Sequence, residues 1–103
     1  MKKEVIFDKR AYDDLSKFPL EVIAAFDAAL EILEREGKLE SPLGKKIEEN
    51  LFEVLIRHEG SWRCFYAYLK GDKAIVLHVF QKKTQRTSRK EIGIAKKRLQ
   101  DHV

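Results

Sequence analysis

Basic side chains crowd the end of the chain. Lys82, Lys83, Arg86, Arg89, Lys90, Lys96, Lys97 and Arg98 fall between residues 82 and 98, and only Glu91 opposes them there. A face that merely keeps a protein in solution mixes its signs, so a one-sided excess suits an anionic partner such as the phosphates of a nucleic acid. Three more charges stand in apolar surroundings. Alternation along Leu51–Arg57 puts Leu51, Glu53, Leu55 and Arg57 on one face and the apolar Phe52, Val54 and Ile56 on the other. In the next apolar run Arg63 shares a face with Phe65, Ala67 and Leu69. Charges on such faces are costly unless the side is open or paired. They imply a second, partly polar sheet face. An ion pair of Glu53 with Arg57 or Arg63 would explain them structurally, whereas a guanidinium facing a phosphate would explain Arg63 functionally.

Other chemistries find less support. His58 falls in a turn and His102 at a terminus expected to fray. His78 sits in the apolar run Ala74–Phe80, where a satisfied core histidine is the default. No set of His, Cys and carboxylates has metal-ligand spacing, so neither a metal nor another cofactor is expected. Glycine-rich phosphate loops and serine nucleophile elbows are absent. Trp62 could stack on an unpaired base, although a Trp beside a hairpin commonly packs on its neighbour.

The elements that must position these residues can be read in order. Lys3–Phe7 reads as a strand and Asp8 as a helix cap. Ala11, Leu15 and Phe18 recur at helical spacing, and Pro19 suits the first position of a second helix. Ile23, Phe26, Leu30 and Leu33 give that helix an apolar stripe, ended by Gly37. Lys38–Asn50 reads as a polar connection. Three strands follow, Leu51–Arg57, Trp62–Leu69 and Lys73–Gln81, with Gly71-Asp72 at the centre of a tight hairpin. Ser88 and Glu91 match a capping box, Ser88 capping the Glu91 amide and Glu91 reaching back, for a last helix that turns Ile92, Ala95 and Leu99 inward. The expectation is an α+β chain in the order β-α-α-β-β-β-α, a small antiparallel sheet with a helical hairpin on one face and a C-terminal helix.

The chain has 103 residues, which suits one domain spanning 1–103. Its net charge of +4 conceals a division: residues 1–50 carry −3 and residues 51–103 carry +7. Hydrophobic residues make up 44%, enough for a packed core. No apolar run approaches a membrane span, and charge arrives too early for a signal peptide. The single cysteine, Cys64, fits a reducing cytoplasm.

Leu51–Arg57, then Gly60-Ser61-Trp62-Arg63-Cys64-Phe65-Tyr66, then Leu77–Thr84 resembles the HigB-like, phage-derived branch of the RelE/ParE toxin superfamily, and Ser88–Arg98 is similar to the tail of that branch. The likeness spans nearly the whole chain. It implies a RelE-like fold and the toxin of a type II toxin–antitoxin system, a ribosome-dependent, metal-independent mRNA endonuclease. The 2′-hydroxyl beside the scissile bond would attack the phosphate. The partners implied are a helix-turn-helix, HigA-like antitoxin, the ribosome and mRNA. Carried over by motif, Arg63, Lys83, Lys82 and Arg57 would form the catalytic set. Arg86, Arg89, Lys90, Lys96 and Lys97 would dock ribosomal RNA. Proton transfer is unassigned, because the tyrosine or histidine of some relatives has no counterpart in Thr84-Gln85-Arg86-Thr87. The candidates are His78, Glu53 or a lysine with a depressed pKa. Two other readings remain, a ParE-like inhibitor of gyrase and a non-catalytic, prophage-derived nucleic-acid-binding module.

Overall fold

The computed structural model describes residues 2–82 and 88–103. The elements are β1 (Glu4–Phe7), α1 (Lys9–Leu15), α2 (Leu20–Glu36), β2 (Gly44–Glu48), β3 (Leu51–Arg57), β4 (Ser61–Leu69), β5 (Lys73–Lys82) and α3 (Arg89–Gln100). The strands form one sheet in the order β1-β5-β4-β3-β2. β2 to β5 make an antiparallel meander, and β1 closes the other edge parallel to β5.

The α+β class and order are those read from the sequence, with two differences. The sheet is mixed, because β1 runs beside β5 in parallel. Residues 38–50 are also not simply a connection, since Gly44–Glu48 forms the strand β2. Its Gly-Lys-Lys-Ile-Glu composition hides it. Edge strands carry lysines and stay short, which blunts pairing with other chains, and so they lack the apolar alternation that marks an inner strand.

Both faces of the sheet are covered. α1 and α2 lay Ala11, Leu15, Val22, Phe26, Leu30 and Leu33 against Val54, Cys64, Tyr66, Ala74 and Val76, with Phe52 and Ile56 alongside. The uniformly apolar face of β3 therefore meets the helical hairpin, as its alternation predicts. On the opposite face α3 packs Ala95, Ile92 and Leu99 over Leu51, Phe65, Ala67, Ile75 and Leu77. The β4–β5 hairpin turns through Lys70, Gly71 and Asp72, since Leu69 pairs with Lys73, one residue more than the tight Gly-Asp turn read from the sequence; Gly71 at φ 77° and Asp72 at φ 61° take the left-handed positions.

The caps hold with one change. Asp8 accepts from the Arg10 backbone N–H at 2.9 Å. Ser88 accepts from the Lys90 N–H at 3.0 Å rather than from Glu91. The Glu91 carboxylate, expected to reach back to its own cap, instead meets His78 Nε2 at 2.6 Å. His102 is not at a frayed end: its Nε2 lies 2.9 Å from Asp8 Oδ2. Arg10 Nη2 donates to the same oxygen at 2.7 Å and to Asp101 Oδ2 at 2.8 Å. The end of α3 is thus fastened to the start of α1. Arg10 holds the Asp8 carboxyl well below the usual carboxylate range, against the opposing effect of burial, with His102 adding to the shift.

Candidate functional site

A β-bulge decides what the α3-side face of the sheet presents. Strict alternation from Ala74 would turn Ile75, Leu77, Val79 and Gln81 towards α3, and His78, Phe80 and Lys82 away. The β4–β5 register shifts at Phe65/Tyr66: Tyr66 pairs with Val76, but Phe65 pairs with His78. Leu77 is the extra residue. An insertion of one residue exchanges the faces beyond it. Val76 and Val79 therefore both join the core under α1 and α2, and His78, Phe80 and Lys82 move to the side of Glu53, Arg57 and Arg63. The bulge is held from α3, where Arg98 Nη1 donates to the Leu77 carbonyl at 3.0 Å.

Cross-strand registers arrange this face in rows. Lys45, Glu53, Phe65 and His78 form the first, Leu55, Arg63 and Phe80 the second, and Arg57, Ser61 and Lys82 the third. Neighbouring strands lie about 4.8 Å apart, so Arg57 and Lys82 flank Ser61 across a span of roughly 10 Å. A short hydroxyl side chain between two long cations makes a saddle with a basic rim. Arg57 is exposed at the end of β3, and Lys82 is 8% exposed.

Arg63 and Glu53 sit behind this saddle, and both are buried. Arg63 Nη1 pairs with Glu53 Oε1, one of the two ion pairs that the sequence allowed. Glu53 Oε2 and Arg63 Nε are buried without a hydrogen-bond partner. Around this carboxylate stand Arg63, Lys82 and Lys45. Burial and then the Arg63 charge push the Lys82 ammonium below its ordinary pKa; Lys45 adds to the effect and Glu53 opposes it.

His78 is engaged on both ring nitrogens. Nε2 meets Glu91, and Nδ1 has a longer 3.4 Å contact with Arg98 Nη1. Because Arg98 can only donate, this geometry calls for the tautomer with its hydrogen on Nε2. His78 thereby joins β5 to α3. Its ring stacks on Phe80 at 5.0 Å, and Phe80 meets Phe65 edge-on at 5.1 Å. Trp62 lies on the other face, 4.8 Å from the Phe18 ring, and donates its indole N–H to the His58 carbonyl at 2.8 Å. Trp62 is partly buried against the core under the helical hairpin, so the aromatic that the sequence allowed as a base-stacking surface faces away from Arg57, Arg63 and Lys82. Cys64 is also on that side, where burial and then the Glu53 charge raise its thiol pKa.

The structure brings together Arg57, Arg63, Lys82, Glu53 and, two strand positions away, His78. Lys83 and Arg86 lie outside the described residues. Arg89, Lys90 and Lys97 are exposed on α3, and Lys96 pairs with Glu48 on β2 at 2.8 Å. Sequence reasoning missed Lys45 and Ser61. Lys45 was concealed by reading its strand as a connection. Ser61 carries no signal of its own, and only its register between Arg57 and Lys82 gives it a place. Among the described residues no group of His, Cys, Asp and Glu could hold a metal ion, and no helix is long and apolar enough to cross a membrane.

This architecture occurs in solved structures. A mutant of the Escherichia coli toxin RelE in the free state superposes with a TM-score of 0.75 at 17% identity, covering 96% of this chain and 99% of that one. The isolated E. coli RelE toxin gives 0.63 at 18%, over 92% of this chain and 97% of that one. The toxin–antitoxin complex RelBE2 of Mycobacterium tuberculosis gives 0.56 at 24%, over 80% of this chain and 100% of that one. These likenesses establish a RelE-like fold. The search of the curated proteins returned no match. The family model of phage-derived, Gp49-like proteins (DUF891) matches residues 13–100, and the chain belongs to that family.

Proposed function

We propose that this protein is the toxin of a type II toxin–antitoxin system and cleaves mRNA on the ribosome. The observation that carries the proposal is the row Arg57–Ser61–Lys82 with Arg63 beside it, a cationic saddle on a RelE-like sheet. Attack on a phosphodiester builds negative charge on its non-bridging oxygens. Fixed guanidinium and ammonium groups stabilise that charge, and one lost donor typically costs about 10²–10³ in rate. Arg57 and Lys82 hold the scissile phosphate over Ser61, and Arg63, fixed by Glu53, supports it from behind. Lys83, which follows Lys82 in the sequence, is assigned to the same clamp by the family resemblance alone.

The 2′-oxygen forms a bond to phosphorus as the bond to the 5′-oxygen breaks, leaving a cyclic phosphate. Lys82, with its lowered pKa, donates a proton to the leaving oxygen. His78 bonds Glu91 and Arg98, and Glu53 is buried with one oxygen paired to Arg63; in our reading water takes the hydroxyl proton. In-line geometry is left to the ribosome-bound RNA. Arg86, Arg89, Lys90, Lys96 and Lys97 dock ribosomal RNA, whose helices are read by shape and backbone. The RelBE2 relative is a toxin–antitoxin complex, which supports an antitoxin partner here, in our reading a helix-turn-helix protein of the HigA type.

Controlled expression followed by primer extension on cellular mRNA tests the proposal. New 5′ ends inside translated frames, lost in Lys82→Gln, are expected. Growth arrest without new ends, together with inhibited gyrase in vitro, would replace the nuclease with a ParE-like toxin. Unaffected growth would leave a nucleic-acid-binding module.

A further inference from the structure

Cations alone hold a nucleic-acid backbone. Proteins that grip single strands add aromatic faces on which bases stack. With Trp62 on the opposite face, the candidate face has, among the described residues, one partly exposed aromatic beside its cations, Phe80. It is the register partner of Arg63 and lies two residues from Lys82 on the same strand. We infer that the Phe80 ring is the stacking platform for the base next to the phosphate held at Arg57, Arg63 and Lys82. The inference rests on the reading of this face as an RNA site.

Three observations support it. Phe80 and Lys82 are about 6.6 Å apart along the strand, two residues of rise, a separation comparable with one nucleotide. Second, β1 ends opposite Val76, so among the described residues no strand flanks β5 at Phe80 on the side away from β4, and Phe80 is partly exposed. Third, the ring is backed, not loose. His78 stacks behind it at 5.0 Å with an interplanar angle of 23°, and Phe65 meets it edge-on at 5.1 Å. His78 is in turn fixed by Glu91 and Arg98 from α3. A platform held this way loses little freedom when a base lands on it. A purine covers more of the ring than a pyrimidine, so the platform would bias cleavage towards positions with a purine there.

The test is equilibrium binding of the full chain to fluorescent single-stranded RNA hexamers by anisotropy. One hexamer carries all its bases, and one has an abasic sugar at a single position, with identical charge. Wild type should favour the base-bearing oligomer at one position of the abasic scan. Phe80→Leu keeps an apolar filler beside Phe65, and thermal unfolding will verify its fold. It should bind the base-bearing RNA about 5- to 150-fold more weakly, leave the abasic oligomer and the salt dependence unchanged, and be rescued by Phe80→Trp. Equal losses on both oligomers, no loss in Phe80→Leu, or wild type that binds neither oligomer would overturn the inference. Failure of the nuclease proposal reads differently: base-dependent binding would persist while translated mRNA stayed uncut.

Discussion

Replacing Arg63 by methionine tests whether its pair with Glu53 is the buried contact described above. Arg63 is 8% exposed and Glu53 2%, so the variant strands a carboxylate away from water. Breaking a buried pair from one side costs about 3–5 kcal/mol. The lower end applies here, because Lys82 and Lys45 still face the carboxylate. In urea, with a slope of about 1.5 kcal/mol/M for a domain of this size, a loss of about 3 kcal/mol moves the midpoint down by about 2 M. Trp62, the one tryptophan, adjoins Arg63 in sequence and reports unfolding by fluorescence. The double variant Glu53→Leu/Arg63→Met removes both charges at similar volume. It should recover to within about 2 kcal/mol of wild type, since apolar replacements of buried pairs are often neutral. A midpoint for Arg63→Met within about 0.5 M of wild type, or a double variant no better than the single, would refute the buried-pair account. The double variant also separates stability from function: it should be folded and unable to cleave mRNA, whereas Arg63→Met or Arg63→Ala alone would lose activity and stability together.

Three further outcomes are expected. In the proposed mechanism Lys82 donates only while protonated, so cleavage by wild type should fall as pH rises through its lowered pKa, below the range of an ordinary lysine; Lys82→Arg should move that limb upward in a pH–rate profile, and Lys82→Gln should lower the rate about 10²–10³-fold with the fold intact. The depressed Asp8 carboxyl contributes stability that is fully present above the unfolded pKa of about 3.9 and lost as pH falls towards the folded value; Asp8→Asn, which loses charge at both the α1 cap and the Arg10 contact, should cost about 2 kcal/mol at neutral pH and flatten the acid branch of thermal unfolding. Trp62→Phe gives up the indole hydrogen bond to His58 for about 1 kcal/mol of stability and should leave affinity for single-stranded RNA unchanged in the anisotropy assay.

What the sequence made legible follows from which interactions are local. The apolar stripe of α2, the Asp8 cap and the hairpin at Gly71-Asp72 depend on residues within a few positions of one another; the first two stand as read, and the hairpin stands with a loop one residue longer, closed by Leu69 and Lys73. The Ser88-Glu91 box is just as local in pattern, yet Glu91 leaves it for His78, thirteen residues away, because a carboxylate accepting from an imidazole N–H in a partly buried site outweighs a solvent-exposed cap contact. Strand β2 escaped because its edge position asks for lysines and not for alternation. Lys45, which faces Glu53 across β2 and β3, was lost with it.

The proposed catalytic set poses a harder case. Arg63 was marked by its charge in an apolar strand, but that signal serves an ion pair and a phosphate clamp equally, and Glu53 proves to hold one end of it. Lys82 belongs to the face of Arg63 only because Leu77 bulges. Nothing in Ala74–Phe80 announces an extra residue, since each position is apolar or aromatic enough for either core except His78. The histidine is the one clue. A polar ring is costly under α1 and α2, where the surroundings are apolar, but on the other face Glu91 and Arg98 satisfy both of its nitrogens. Burying Val76 and Val79 on one side while seating His78 on the other requires two non-alternating steps to become one bulge. The same insertion that resolves the histidine carries Phe80 and Lys82 beside Arg63, so the packing requirement of one core residue assembles the proposed site.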